Sequence, residues 1–236
     1  REYADHPQAR RIYSLALRRR PPNWKNPPKP SGQRLWGNGT ASEHVAEPWM
    51  DKIKKRSRRQ RNKARAYRKH IKRLIQKGWP TGAYRKLSSA AVQKALDPIE
   101  IAVVRAEIAH GYFIFGKDKL ALNLSKRTYE EFGELIPLAS WVGGLSAWRQ
   151  GKIMEAAFYF QRLGENIEAS TKLKSAGAFW ASRAHLINHQ PRKANESLKQ
   201  AAKSPDSFYG TLARKALGMS TGLNMTIDVK NDDIQK

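Results

Sequence analysis

Three helix–turn–helix junctions share one spacing, and this repeat constrains the fold more than any other feature of the sequence. In each junction a glycine or histidine stands five residues before an alanine: Gly116 before Ala121, Gly151 before Ala156, and His189 before Ala194. The alanines are 35 and 38 residues apart, close to the 34-residue period of tetratricopeptide-like hairpins. The spacing predicts helical hairpins stacked into a superhelix.

Small residues at a second fixed position support this repeat. The residue twelve positions before each alanine is small in all three units: Ala109, Gly144 and Ser182. Small side chains there let the two helices of a hairpin approach closely. A weaker fourth unit has Gly78 five residues before Ala83, but the residue twelve positions before it is the larger Ile71. We expect that hairpin to open differently.

Capping signals and helical periodicity predict an all-α chain. Asp97 and Ser204 each precede a proline, which suits the first position of a helix, and Glu100 completes a capping box with Asp97. The pattern turns helical at Pro48, and no stretch alternates with the period of a strand. Further helices are predicted over residues 84–96, 102–115, 118–132, 137–150, 152–163, 172–188, 191–203 and 205–217.

Composition along the chain predicts four regions. Residues 1–19 contain a short helix, from about residue 7 to residue 19. Residues 20–46 form a linker rich in proline and glycine, which disfavour both helix and central strand. Residues 47–218 form the superhelical repeat domain, and residues 219–236 are a polar tail or the start of a following segment.

The charge of the chain is large and unevenly placed. The 236 residues carry 45 Lys and Arg against 20 Asp and Glu, a formal net charge of +25. Residues 52–77 hold 14 basic and no acidic side chains. We therefore expect an anionic partner to meet the N-terminal third. Because cysteine is absent, disulfides, thiol catalysis and thiolate metal sites are excluded.

The basic segment supplies the candidate binding residues. Its apolar stripe vanishes over residues 54–63, and a helix without such a stripe faces solvent or a charged partner. Helical spacing places five basic side chains on one side of this predicted helix: Lys54, Arg58, Arg61, Arg65 and Arg68. They are the predicted site for peptidoglycan or another anion, with a fully solvated face as the alternative.

The aromatic residues of the repeat region are predicted to pack. Seven recur at helical spacing: Trp141, Trp148, Phe158, Tyr159, Phe160, Phe179 and Trp180. Stacked hairpins bury a continuous core, and large flat side chains fill it. The alternative is that one or two of them line a concave face and stack on a sugar ring.

Five strings carry a resemblance to a known family: IKRLIQKGWPTGA at 71–83, RAEIAHGYF at 105–113, PLASWVGGLSAWR at 137–149, AFWASRAH at 178–185 and SFYGTLA at 207–213. In combination they resemble the helical region of soluble lytic murein transglycosylases of alphaproteobacterial type. The resemblance covers roughly residues 3–219. It implies a periplasmic protein whose superhelix precedes a lysozyme-like domain that cleaves peptidoglycan to anhydro ends.

The resemblance does not extend to an active site. The family uses a Glu followed by Ser, with Gly-Leu-Met-Gln and Tyr-Asn-Ala-Gly motifs downstream. Here Glu196-Ser197 is the only such pair, and neither companion motif occurs in the sequence. We predict no catalytic residue in this chain, so its expected role is to engage the substrate or to act as a scaffold.

Two rival functions stay open at this stage. One is a self-standing interaction scaffold in an envelope complex; the other is nucleic-acid binding through residues 52–77, which offer only Tyr67 for base stacking. No cofactor motif occurs in the sequence, and the histidine pair His185 and His189 lacks a third ligand nearby in sequence, so no metal site is predicted. No apolar run is long enough to span a membrane.

Overall fold

The computed structural model describes residues 9–27 and 49–221. The chain divides into two compact units, residues 1–44 and residues 45–236. Within the described ranges every regular element is helical, so the predicted all-α class is confirmed. No helix in these ranges is long and apolar enough to cross a bilayer.

The first unit contains one described helix, α1 (Ala9–Arg18). It falls within the helix predicted over residues 7–19. After it, the guanidinium of Arg20 donates to the carbonyl of Trp24 at 2.9 Å and to the side chain of Asn26 at 2.7 Å. These bonds fold residues 20–26 into a local turn. Most of the predicted linker, from residue 28 on, lies outside the described residues, as does the tail from residue 222.

The second unit is built from consecutive helices, and most of them pack against the next helix in the chain. The described helices are α2 (Arg58–Gln76), α3 (Pro80–Leu87), α4 (Ala90–Ala95), α5 (Pro98–Ile114), α6 (Asp118–Phe132), α7 (Pro137–Arg149), α8 (Ile153–Glu165), α9 (Thr171–Ile187), α10 (Pro191–Ala202) and α11 (Phe208–Ala216). Short 3₁₀ turns lie at Met50–Lys52 and Gly133–Leu135. Helix α5 also contacts α7, and α9 contacts α11, so the packing extends beyond sequence neighbours.

The junctions predicted to be equivalent have the same backbone. Four residues with positive φ occupy the same position in each, namely Gly78, Gly116, Gly151 and His189, with φ of 81°, 71°, 72° and 55°. In each, the next residue donates its N–H to the carbonyl five residues back at 2.8 or 2.9 Å, the bond that closes a helix C-terminus. Gly218 ends α11 with the same pattern.

The repeated small residues lie where helices meet. Ala83, Ala121, Ala156 and Ala194 are all buried. A Cβ at Gly144 would collide with the ring of Phe160, which is fully buried. These positions are therefore small because a neighbouring helix occupies the space that a side chain would need.

The aromatic residues mostly pack, as predicted. The ring of Phe160 lies 5.8 Å from the rings of both Trp141 and Trp180, centroid to centroid, so it joins α7, α8 and α9. Trp148 meets Trp180 edge to face at 5.2 Å. Phe158 is the exposed exception among the seven, with 45% of its surface accessible.

Two predicted helices differ from the structure. The helix predicted from Pro48 does not form: Met50–Lys52 is a 3₁₀ turn, and α2 begins only at Arg58. The helix predicted over residues 84–96 is two helices, α3 and α4, because the chain turns at Ser88 and Ser89.

The last helix starts later than its proline signal suggested. Helix α11 begins at Phe208, where the Ser207 hydroxyl caps the helix by accepting the Gly210 N–H at 3.0 Å. The Ser204 carbonyl instead accepts a hydrogen bond from the Ser207 hydroxyl at 2.9 Å. Ser204 and Pro205 therefore lie in the turn before α11 and do not cap the helix. By contrast, the Asp97 capping box forms as predicted.

Candidate functional site

The basic helix α2 is defined by its cap and by a narrow buried stripe. Ser57 and Gln60 form a reciprocal capping box, with bonds of 2.9 and 3.3 Å, which fixes the start of the helix at Arg58. Only Ala64 and Ile71 of this helix are buried. Most of its surface therefore faces outward.

Four of the five predicted binding residues meet in one cleft. Arg61, Arg65 and Arg68 follow each other on one face of α2, and they line a cleft of about 340 Å³ together with Lys54. Lys54 lies in the non-helical segment before α2, so its predicted place on the helix was wrong. Arg58 is on the helix but is not among the residues that line the cleft.

Glu100 organises this cleft, a role that its capping position in the sequence did not indicate. Glu100 is only 4% exposed, in the first turn of α5. Its carboxylate accepts the backbone N–H of Asp97 at 3.0 Å and pairs with Arg56 at 2.8 Å. A second guanidinium, that of Arg68, lies 3.8 Å away. One buried carboxylate thus positions two arginines from separate segments.

A tryptophan forms the other wall. Trp49 is 5% exposed and packs against the apolar cluster of α5 and α7 that includes Ala102 and Ala139. The guanidinium carbon of Arg68 lies 4.7 Å from the centre of the Trp49 ring, a cation–π contact. Because Arg68 contacts both Trp49 and Glu100, this arginine is held in place at the cleft wall.

The cleft carries a strong excess of positive charge. Six basic side chains and one acidic side chain line it: Lys54, Lys55, Arg56, Arg61, Arg65, Arg68 and Glu100. Glu100 is shared by Arg56 and Arg68. No carboxylate of the described residues lies within 4.0 Å of the charged groups of Lys54, Lys55, Arg61 or Arg65. The arrangement can therefore hold a carboxylate or phosphate at several points.

A second cleft, of about 330 Å³, lies on another side of Trp49. It is lined by α5, α7 and the start of α9 and contains Glu107 and Glu168 but no basic side chain. Lys52 bridges to Glu168 at 2.9 Å nearby. The lining of this second cleft is apolar and acidic, so it does not extend the basic surface of the first cleft.

The Glu-Ser pair and the histidine pair of the sequence lie in ordinary structural surroundings. Glu196 is an exposed residue of α10. His185 is buried and shares a hydrogen bond with Gln190 at 3.0 Å, while His189 occupies the left-handed position of its turn. The two histidines therefore have separate structural roles. Among the described residues no group of three His, Asp or Glu side chains is arranged to hold a metal ion.

Comparisons of the chain with protein-family models, with curated proteins and with solved structures found no match. The resemblance to lytic transglycosylases therefore stays a prediction from the sequence strings. The class of protein that the structure itself defines is an all-helical protein with a basic cleft.

Proposed function

We propose that this chain is the non-catalytic helical superhelix of a periplasmic lytic transglycosylase, and that it binds peptidoglycan through the basic cleft. In this proposal the helices form tetratricopeptide-like hairpins, and the chain engages the polymer or acts as a scaffold while a separate domain does the chemistry. The observation that carries the proposal is the convergence of Lys54, Arg61, Arg65 and Arg68 on one cleft.

The repeated backbone supports the hairpin part of the proposal. Equivalent turns at Gly78, Gly116, Gly151 and His189 separate successive helices, and α5 contacts α7 as α9 contacts α11. Contacts between every second helix are what stacked hairpins require. Four of the five resembling strings contribute to α5, α7, α9 and α11, the helices that make these contacts.

The chemistry of the cleft supports a carboxylate-bearing polymer. Peptidoglycan stem peptides carry free carboxylates, and arginine binds a carboxylate with two parallel hydrogen bonds. Exposed apolar surface from Met50 lies beside the basic groups. A ligand with carboxylates spaced along a sugar and peptide framework fits this mixture better than a compact anion does.

The surroundings of Tyr67 argue against the nucleic-acid alternative. This tyrosine is partly buried against the core, and the Lys86 amine lies 5.6 Å from the centre of its ring. The one large aromatic of the basic segment is therefore committed to packing. Single-stranded nucleic-acid binding relies on exposed aromatic rings.

A charge-matched pair of variants tests the proposal. Replacing Lys54, Lys55, Arg61 and Arg65 by Gln removes the four exposed charges that line the cleft and leaves Arg56, Arg68 and Glu100 intact. We expect pull-down by purified peptidoglycan to fall at least about tenfold, because the exposed groups that meet the polymer are gone. The control replaces four exposed basic residues elsewhere by Gln: Lys126, Lys172, Lys199 and Lys203.

The control variant distinguishes binding by the cleft from nonspecific binding through positive charge. Equal loss in both variants, or no loss in either, contradicts the basic-cleft proposal, provided that both keep the helical circular dichroism spectrum. Tighter binding to RNA than to peptidoglycan would favour the nucleic-acid alternative. Retention of a protein partner with no peptidoglycan binding would favour the self-standing scaffold. We expect no release of anhydro-muropeptides by this chain.

A further inference from the structure

The left-handed turns of the second unit lie along one edge. Helices α2, α5, α7, α9 and α11 all end in such a turn, and α3, α6, α8 and α10 begin two residues after one. We call the residues within four positions of Gly78, Gly116, Gly151, His189 and Gly218 the turn edge. It is built from five helix C-termini and four helix N-termini.

Contacts between successive turns show that they adjoin. Phe115 of the second turn lies against Gly78 of the first, 3.3 Å from where a Cβ would stand. Arg149, before the third turn, donates to the carbonyl of Phe113 at 2.8 Å and pairs with Asp118 of the second.

The pairing of α8 with α9 places the fourth turn, at His189, beside the third, at Gly151. Gly164 and Gly177 touch where these helices cross, since a Cβ on Gly177 would lie 2.8 Å from the Gly164 nitrogen. Ile153 lies eleven residues before Gly164 in α8, and Ile187 lies ten residues after Gly177 in α9. Each therefore lies at a similar distance from the contact, toward its turn. The third and fourth turns therefore share the edge. The fifth turn follows in the same way, because Phe179 and Tyr209 meet at 5.4 Å and lie ten and nine residues before His189 and Gly218.

Large apolar side chains are exposed along this edge. The residues and their accessible fractions are Trp79 54%, Ile114 61%, Phe115 49%, Leu120 46%, Met154 78%, Leu186 58%, Ile187 51% and Met219 45%. Single exposed apolar residues are ordinary, but a row of them marks a surface that contacts something else. Each of the five turns carries at least one of these side chains, so together they form a row.

The charge beside these apolar residues is positive. Exposed basic side chains flank them: Lys77, Lys117, Lys119, Lys152, Arg192, Lys193 and Lys215. Within the turn edge the acidic residues are Asp118, which pairs with Arg149, and Glu155. Five of the seven lie at helix N-termini, where the helix dipole does not favour positive charge, so the dipole does not account for them. The edge combines apolar projections with cationic flanks.

We propose that the turn edge rests on the surface of an anionic lipid bilayer. Apolar side chains at the tips of turns enter the boundary between headgroups and acyl chains, and lysines pair with lipid phosphates. A tryptophan at the rim suits the same boundary. A second copy of the chain fits less well, because two positive edges repel each other. The contact is peripheral and needs no spanning helix.

Vesicle binding by two matched double variants tests this surface. Ile114→Ser with Ile187→Ser removes apolar tips from the turn edge, and the control Ile167→Ser with Phe208→Ser removes more exposed apolar side chains that lie away from it. Full-length protein is mixed with vesicles of phosphatidylcholine, with or without phosphatidylglycerol, and sedimented. Salt of about 0.5 M screens the purely electrostatic binding of the basic helix α2.

We expect wild type and the control to retain binding to anionic vesicles at high salt, and the turn-edge variant to lose at least about tenfold in partitioning. Equal partitioning of both variants at matched helicity, complete loss of wild-type binding in salt, or equal binding to neutral and anionic vesicles at about 0.1 M salt, where charge is less screened, would each overturn the proposal. A protein partner on this edge would also give equal partitioning. Peptidoglycan pull-down by the turn-edge variant stays unchanged, so this test is separate from the one for the cleft.

Discussion

At the scale of single residues, Glu100 has two roles at once. Its carboxylate closes the capping box of α5 and also pairs with Arg56, whose side chain is 17% exposed, and approaches Arg68. Burying a carboxylate is costly unless it is paired and hydrogen-bonded, and here both conditions are met. The same residue thus stabilises the start of a core helix and shapes the wall of the basic cleft.

Replacing Glu100 by Gln separates these roles. A glutamine keeps an oxygen that can accept the Asp97 N–H, so the capping box survives, but the charge that pairs with Arg56 and Arg68 is lost. We expect the free energy of unfolding to fall by about 2 kcal/mol, because two guanidinium groups lose their buried partner. Urea denaturation measures this change.

The matched control is Glu196→Gln, an isosteric change at an exposed position of α10. We expect it to alter the free energy of unfolding by less than about 0.5 kcal/mol. A similar loss in both variants would show that the effect does not depend on the buried pairing of Glu100.

At the scale of elements, the turns show how unlike residues build one motif. Glycine adopts positive φ without strain, which explains its presence at three of the four helix–helix turns. His189 adopts φ of 55° in the fourth, a conformation that costs an L-residue energy. The hydrogen bonds of the turn are nevertheless the same. The surrounding helices α9 and α10 therefore impose the conformation on the histidine.

Replacing His189 by Gly relieves this strain. We expect the free energy of unfolding to rise by about 0.5 to 1 kcal/mol, since the gain in the folded state exceeds the added freedom of the unfolded chain. The shift of the urea midpoint measures it. The control is the preceding residue, Asn188, which has φ of −80°.

At Asn188 a glycine gains nothing in the folded state and adds freedom to the unfolded chain. We expect Asn188→Gly to lower stability by about 0.5 to 1 kcal/mol. Stabilisation by both substitutions, or by neither, would contradict the assignment of strain to His189 alone.

At the scale of the whole molecule, the basic cleft and the turn edge lie at opposite ends of α5. The basic cleft adjoins the start of α5, and the turn edge lies at its end. Fourteen residues separate Glu100 from Ile114, a rise of about 21 Å along the helix. A polymer in the cleft and a lipid surface at the turn edge are therefore compatible with each other in space.

The division into units predicts how the protein is cut by protease. The boundary falls between His44 and Val45, near the end of the proline- and glycine-rich residues 20–46. We expect limited trypsin digestion to cut first in residues 20–46 and after Gly218, because packed helices resist cleavage. Mass spectrometry should find a resistant fragment that spans α2 to α11. Cleavage between Pro98 and Gly218 before either of these sites would contradict this expectation.

The sequence by itself determined the helical class and most helices of the repeat. Turn and capping chemistry is local, so Gly116, Gly151 and the Asp97 capping box marked junctions and a helix start directly. Helix α6 was predicted with its observed bounds, and the buried alanines followed from one repeated spacing. The same local reasoning failed at Pro48 and at Ser204, where it predicted helix starts several residues too early.

Only the tertiary structure decided how the basic residues are arranged. Helical spacing predicted that Arg61, Arg65 and Arg68 share a face, since that depends on one helix alone. The pairing of Arg56 with Glu100 joins segments 44 residues apart in sequence, and Trp49 reaches the cleft through packing on α5 and α7. Such contacts depend on how distant helices fill space against each other, and no local pattern in the sequence encodes them.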